Sequence, residues 1–261
     1  MQLNIIDEKT HRVSDNLHYD ITNLDNHHII TVDNVLENPH AFIDDVVKKV
    51  PMQLNNLNVA NEVFPGYQSK LHIELPEVTY LVGHLIQKCT NFKKLDPSQI
   101  KVSYQVNAMN SDREVHRVSI QPHIDPAVYA CVLYLNEDGD GGTSFFTHKS
   151  TGLTNMENVH TPFKRTQQYW NYKEWVYDFV EKSKEKVDND TMLIEDVWEE
   201  EHHIQMKFNR LVIYPSYIWH SAVMKKGWYT DMPRISLSGF VFADSLNIDA
   251  VSYTHLRAHE T

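Results

Sequence analysis

His123 and Asp125 stand two residues apart in the stretch Gln121-Pro122-His123-Ile124-Asp125-Pro126. On an extended chain residues i and i+2 face the same way, so one short segment offers an imidazole nitrogen and a carboxylate oxygen to a single ion. A second His from elsewhere completes a set of two His and one carboxylate, which binds Fe(II) on one face and leaves coordination positions open. In a chain with 16 His, H-x-D alone is a weak signal. Its plain alternative is a strand-end His followed by a turn Asp. His116, His148, His160, His202, His203 and His220 all compete for the third place.

Composition narrows the classes of partner. The 261 residues are 41% hydrophobic, enough for a real core in one large domain or two small ones. The formal net charge of −11 repels phosphate backbones, so no nucleic-acid partner is expected. The two Cys, Cys89 and Cys131, lack metal-type spacing and fit a reducing compartment. Met1 to Thr10 has neither a basic n-region nor an apolar h-region, and no apolar run reaches membrane-spanning length. These features predict a soluble cytoplasmic protein with no membrane partner.

The elements that must position the ligands follow from periodicity. Residues 1–27 are polar and irregular, and His28 to Val32 is a short strand. Asn38-Pro39 gives an N-cap and a first-turn Pro for a helix over 39–50, with Phe42, Val46 and Val50 on one face. Residues 51–75 are loop-like. Pro76 opens a second helix carrying Val78, Leu81, Val82, Leu85 and Cys89 along one side. From about residue 100 the period becomes two: Val102, Tyr104 and Val106; Val118 to His123; and Tyr129 to Asn136, apolar on both faces. Glu137 to Gly142 predicts a hairpin turn into Thr143 to Phe146, since it has neither the spacing nor the Lys of a phosphate loop. In 147–205, Tyr169, Tyr172, Trp175, Val176, Phe179 and Val180 suggest an amphipathic helix, either packed as core or lying over a substrate. Strands resume at Ile204 to Lys207 and Leu211 to Tyr214 with a turn near Asn209, and a last strand is Arg234 to Phe242. Many short strands with turn signals predict a sandwich or barrel.

Taken in order, His123-x-Asp125, Val132-Leu-Tyr134-Leu-Asn136, Gly141-Gly142-Thr143, Arg210-Leu-Val-Ile-Tyr-Pro215 leading to His220, and Arg234-x-Ser236 resemble the 2-oxoglutarate/Fe(II) dioxygenases, nearest to the prolyl-hydroxylase-like branch. The match covers about residues 100–245. The resemblance implies a mostly β fold with flanking helices: a double-stranded β-helix (jelly-roll, cupin-like) with N-terminal helices packed on the major sheet. It implies a single domain over 1–250. In it, 28–99 supplies the first strand and support helices, 100–146 and 204–245 form the core, and 147–203 is a helical insertion or lid. Residues 251–261 break style with the body and resemble translated sequencing adapter, a non-native tail set aside from fold reasoning.

The same resemblance implies roles. His123, Asp125 and His220 match the iron ligands; His220 is preferred to the other His because it follows a buried strand and a turn and leads to Arg-x-Ser. Arg234 matches the group that pairs with the distal carboxylate of 2-oxoglutarate, and Ser236, Tyr134 and the weaker candidate Tyr104 match its assistants. Trp175 and Tyr172, in the insertion, are the substrate candidates. The cofactors implied are Fe(II), 2-oxoglutarate and O2, with ascorbate as an accessory reductant. The reaction implied is hydroxylation of a small molecule or an amino-acid or peptide side chain, with release of succinate and CO2. Asp125 implies hydroxylation and not halogenation, because halogenases of this superfamily have Ala or Gly at the carboxylate position. Two rivals stand beside the enzyme: a jelly-roll binding module without metal, and a nucleic-acid demethylase of the same superfamily, which the acidic charge disfavours.

Overall fold

Alternation with period two sorts the strand residues onto two faces, and both faces are covered. The computed structural model describes residues 11–54, 66–90, 92, 94–109, 122–125, 127–137, 139, 141–149, 151–155, 194–223, 228–229 and 231–242. These residues are mostly β. The strands are β1 (His18–Leu24), β2 (His27–Asp33), β3 (Met52–Leu54), β4 (Tyr67–Ser69), β5 (Tyr104–Met109), β6 (Tyr129–Tyr134), β7 (Gly142–His148), β8 (Trp198–Gln205), β9 (Arg210–Pro215), β10 (His220–Val223) and β11 (Arg234–Val241). They form an eight-stranded sheet in the order β1-β2-β9-β6-β11-β5-β4-β3 and a three-stranded sheet in the order β10-β7-β8. Every pairing is antiparallel.

The strand β6 shows why it reads as an unbroken apolar run: it is buried on both sides. Tyr129, Cys131 and Leu133 join one buried cluster, together with Leu211 and Ile213 of β9, Leu237 and Val241 of β11, and Val78, Val82 and Leu85 of a helix α2 (Pro76–Cys89). Ala130 and Tyr134 join a second cluster with Val212 and Tyr214 of β9 and with Phe145 and Ile204 of the smaller sheet. The two sheets therefore share an interior. Tyr134 Oη and Thr143 Oγ1 stand 2.6 Å apart across it, and the Phe145 and Tyr214 rings meet edge-on at 5.2 Å.

Several expected elements come out differently. The first helix is α-helical only over Pro39–Phe42 (α1) and continues as a π-turn over Ile43–Val47. Residues 51–75 contain β3 and β4. The segment 1–27, read as irregular, contains β1, an edge strand whose residues are mostly exposed on both faces and so lack the alternation that marks a half-buried strand. The Glu137–Gly142 turn is not a hairpin: β6 pairs with β9 and β11, whereas β7 pairs with β10 and β8, so this turn crosses from one sheet to the other. The turn at Asn209 also crosses between sheets. Asn209 takes φ +60°, and its side chain accepts from Leu36 N and donates to Leu36 O, both at 2.8 Å.

An ion-pair cluster ties β2 to the start of β9. Arg210 donates to both oxygens of Asp33, at 2.6 and 3.0 Å, and Lys207 Nζ lies 2.7 Å from Asp33 Oδ2. The Arg210 hydrogen bond, working against burial, holds the Asp33 carboxyl below its usual value. A depressed carboxyl stabilises the fold above its unfolded pKa, and that contribution is lost as pH falls through the folded value. We expect Asp33→Asn to cost about 1 kcal/mol at neutral pH after solvent screening, and much less in acid. Urea melts of both proteins at neutral pH and near pH 3 check this.

Candidate active site

Extending the smaller sheet beyond β10, His123 pairs with His220: His123 N donates to His220 O at 2.9 Å, and His220 N donates to His123 O at 3.0 Å. This single bridge fixes the two imidazoles side by side, with ring centroids 4.6 Å apart. Asp125, two residues on, is held by Ser216, at the turn that ends β9. Asp125 N donates to Ser216 O at 2.9 Å, and Ser216 Oγ donates to Asp125 O at 3.3 Å and to Ala127 O. The Pro215-Ser216 break thus anchors the H-x-D segment against the strand that leads to His220.

Ligand atoms of His123, Asp125 and His220 lie within 4.8 Å of one another, and among the described residues no other group of three His, Cys, Asp or Glu converges in this way. The other His candidates are placed elsewhere or not described. His148 is buried beside Thr151 and Trp198, and His203 Nδ1 meets Ser144 Oγ at 2.8 Å. His116 and His160 lie outside the described residues, as do Trp175 and Tyr172 of the insertion and the tail 251–261.

The hydrogen-bond pattern of His220 identifies what the triad accepts. Its Nδ1 lies 2.8 Å from Ile218 O, which can only accept, so Nδ1 carries the proton. Nε2, the other ring nitrogen, faces Asp125 Oδ2 at 3.1 Å and is a lone pair wherever the ring carries a single proton. Two acceptors at that distance repel unless a cation or a proton lies between them. A ring nitrogen oriented by a backbone carbonyl, with the other nitrogen facing a carboxylate, is the arrangement in which a protein presents a metal ligand.

A second charged centre lies in the same interior. Arg234 is 3% exposed on β11, and its Nε has no hydrogen-bond partner. Nη1 reaches Ser236 Oγ at 3.5 Å, and the guanidinium carbon lies 5.4 Å from the centroid of the Tyr134 ring. No carboxylate among the described residues pairs with Arg234. A buried cation without a counter-charge is costly, so such a site is suited to an anion supplied from outside. Burial pushes the Tyr134 phenol up, while Arg234 and Thr143 pull it down. Tyr214 links the two centres. Its ring meets His220 edge-on at 4.7 Å, and its phenol is pushed well up, first by burial and then by the Asp125 carboxylate, with Arg234 acting the other way.

Tyr104 does not join them. It belongs to the cluster that contains α2, and its hydroxyl lies 3.5 Å from Thr79 Oγ1 of that helix. Along β5, residue 104 is on the opposite face from Asn107, whose side chain meets Ser238 of β11. The assignment of Tyr104 as an assistant of Arg234 is therefore corrected. We expect Tyr104→Phe to leave 2-oxo acid affinity unchanged, as a titration of the variant against the parent shows.

Fold and site together define a mostly β protein with a convergent His–Asp–His group that could hold a metal ion and a buried guanidinium on β11. The chain belongs to a family described as a family of unknown function (DUF6445), whose model matches residues 15–234 and so includes every residue of the triad and Arg234. No curated protein matches it. Among the described residues, no helix is long and apolar enough to cross a membrane.

Proposed function

We propose that the protein is an Fe(II)- and 2-oxoglutarate-dependent oxygenase built on a double-stranded β-helix, hydroxylating a small molecule or an amino-acid or peptide side chain. The observation that carries this reading is the convergence of ligand atoms of His123, Asp125 and His220, set in the same interior as Arg234, whose Nε has no hydrogen-bond partner. Two imidazoles and one carboxylate suit Fe(II), and three ligands leave room for a chelating cosubstrate. When bound, iron and 2-oxoglutarate supply the oxidising power, consuming O2 and releasing succinate and CO2.

The chain's own residues do the rest. His123, Asp125 and His220 bind the ion, and the Ile218 carbonyl keeps the His220 lone pair aimed at it. Arg234 pairs with the distal carboxylate, the Ser236 hydroxyl offers a second donor, and Tyr134 forms the wall beneath the guanidinium. Phe145, Tyr214 and Ile218 supply a buried apolar cluster on this side of the sheet. Asp125 supplies an anionic ligand where a halide would otherwise bind, so the product gains oxygen.

Succinate release from 2-oxoglutarate over pools of candidate substrates tests the proposal. Succinate that depends on Fe(II) and rises with one pool is the expected result. Iron binding without succinate from any pool, or no iron binding at all, contradicts it and favours a binding module.

A further inference from the structure

We propose that Tyr229 sets the length of the 2-oxo diacid that this protein accepts, its phenol closing the end of the Arg234 pocket against the Gly139–Gly142 turn. This rests on the reading of Arg234 as the cosubstrate anchor. Tyr229 precedes β11 and is half-buried. Its φ is +58°, a conformation that a bulky aromatic residue adopts only when its surroundings impose it, and such residues concentrate at ligand clamps. That conformation lays the phenol over the turn. A Cβ on Gly139 would lie 2.7 Å from Tyr229 Oη, and one on Gly141 would lie 3.4 Å from the same oxygen and 4.0 Å from Arg234 Nε. Gly139 and Gly141 take φ of +154° and +112°, so glycine here serves both the turn and the close approach. The phenol oxygen and the Arg234 Nε therefore both lie within 4.0 Å of the point where a side chain on Gly141 would begin.

The remaining walls near Arg234 are residues of β6 and β11 and the loop residue Met206. The Tyr134 ring lies beneath the guanidinium, with Ser236 beside it on β11. Met206, 4% exposed, backs the phenol, whose hydroxyl donates to its sulfur at 3.6 Å. Like Met206 behind it, Tyr229 lies on a loop segment outside the strands. Its ring, more than its hydroxyl, is the stop that a longer diacid meets. One methylene in a closely fitted pocket changes discrimination by about 10- to 200-fold.

The test is calorimetric titration of the full chain with 2-oxoglutarate and with 2-oxoadipate, one methylene longer, using Mn(II) in place of iron so that no turnover occurs. The parent protein is expected to prefer the shorter diacid by about tenfold or more. Tyr229→Phe keeps that preference and Tyr229→Ala loses most of it. Tyr229→Leu, with a shorter side chain that is still apolar, falls between them and serves if the Ala variant does not fold. Unchanged preference in both the Ala and Leu variants overturns the inference, and a Phe variant as relaxed as Ala overturns the role of the ring. A parent protein that binds neither diacid, or binding that is insensitive to Arg234→Ala, overturns the cosubstrate reading itself and this inference with it.

Discussion

Asp125→Ala weakens Fe(II) binding by at least about 100-fold, the upper end of what losing an outer partner of a metal ligand costs, and abolishes succinate release. The expectation follows from the geometry of three groups. His220 Nε2 faces Asp125 Oδ2 at 3.1 Å, and removing the carboxylate takes away both the anionic ligand and the charge that draws the cation between them. What remains is two imidazoles, of which His123 is exposed and bridges to His220 through its backbone. The substitution leaves the anchoring of this segment intact, because Ser216 binds the backbone of residue 125 and not its side chain. Melting temperature without metal therefore stays near the parent value while metal affinity collapses. Anaerobic Fe(II) titration followed by metal analysis reads both. Full iron occupancy in the variant refutes the assignment.

Arg234→Ala raises the apparent KM for 2-oxoglutarate. Losing a charge-assisted pair in a desolvated pocket costs about 2–4 kcal/mol, or roughly 30- to 800-fold in affinity. The guanidinium is 3% exposed, its Nε is unpartnered, and no described carboxylate pairs with it. The same facts give a second, opposite expectation. A buried cation with no carboxylate partner among the described residues destabilises the fold, so Arg234→Met, which fills the volume without the charge, is expected to raise the melting temperature in the absence of cosubstrate. A residue present for structural pairing behaves the other way and lowers it. Parallel steady-state kinetics and thermal melts distinguish the two. An unchanged KM shows that another basic group anchors the cosubstrate.

The residues of the candidate site were legible to different depths. His123-x-Asp125 could be proposed because ligand chemistry restricts residue type and strand geometry restricts spacing, whereas His220 and Arg234-x-Ser236 were named by the resemblance of the ordered motifs to a known family. The core strands β6 and β9 were legible for a related reason: apolar residues in succession require two covered faces. Tyr104 was misplaced because period two fixes which residues share a face but not which face meets the site; that is decided by the packing of α2 against the far side of β5, a contact between Thr79 and Tyr104 that no local pattern encodes. The turns at Glu137–Gly142 and Asn209 carry hairpin signals yet join different sheets, since turn chemistry specifies a local reversal and leaves the pairing partners open. Tyr229 gave no signal, and Tyr214 reads only as the end of a strand. Their importance lies in contacts with His220 and with Gly139 and Gly141, which are brought near only by the complete fold.

The most direct test of the central claim is the visible absorption of the protein on anaerobic addition of Fe(II) and 2-oxoglutarate together. A 2-oxo acid chelated to protein-bound Fe(II) gives a charge-transfer band that neither component gives alone. The account predicts that this band appears at one equivalent of iron, is lost in Asp125→Ala, and in Arg234→Ala requires far more 2-oxoglutarate. No band in the parent protein at saturating iron and cosubstrate, or an undiminished band in Asp125→Ala, contradicts it.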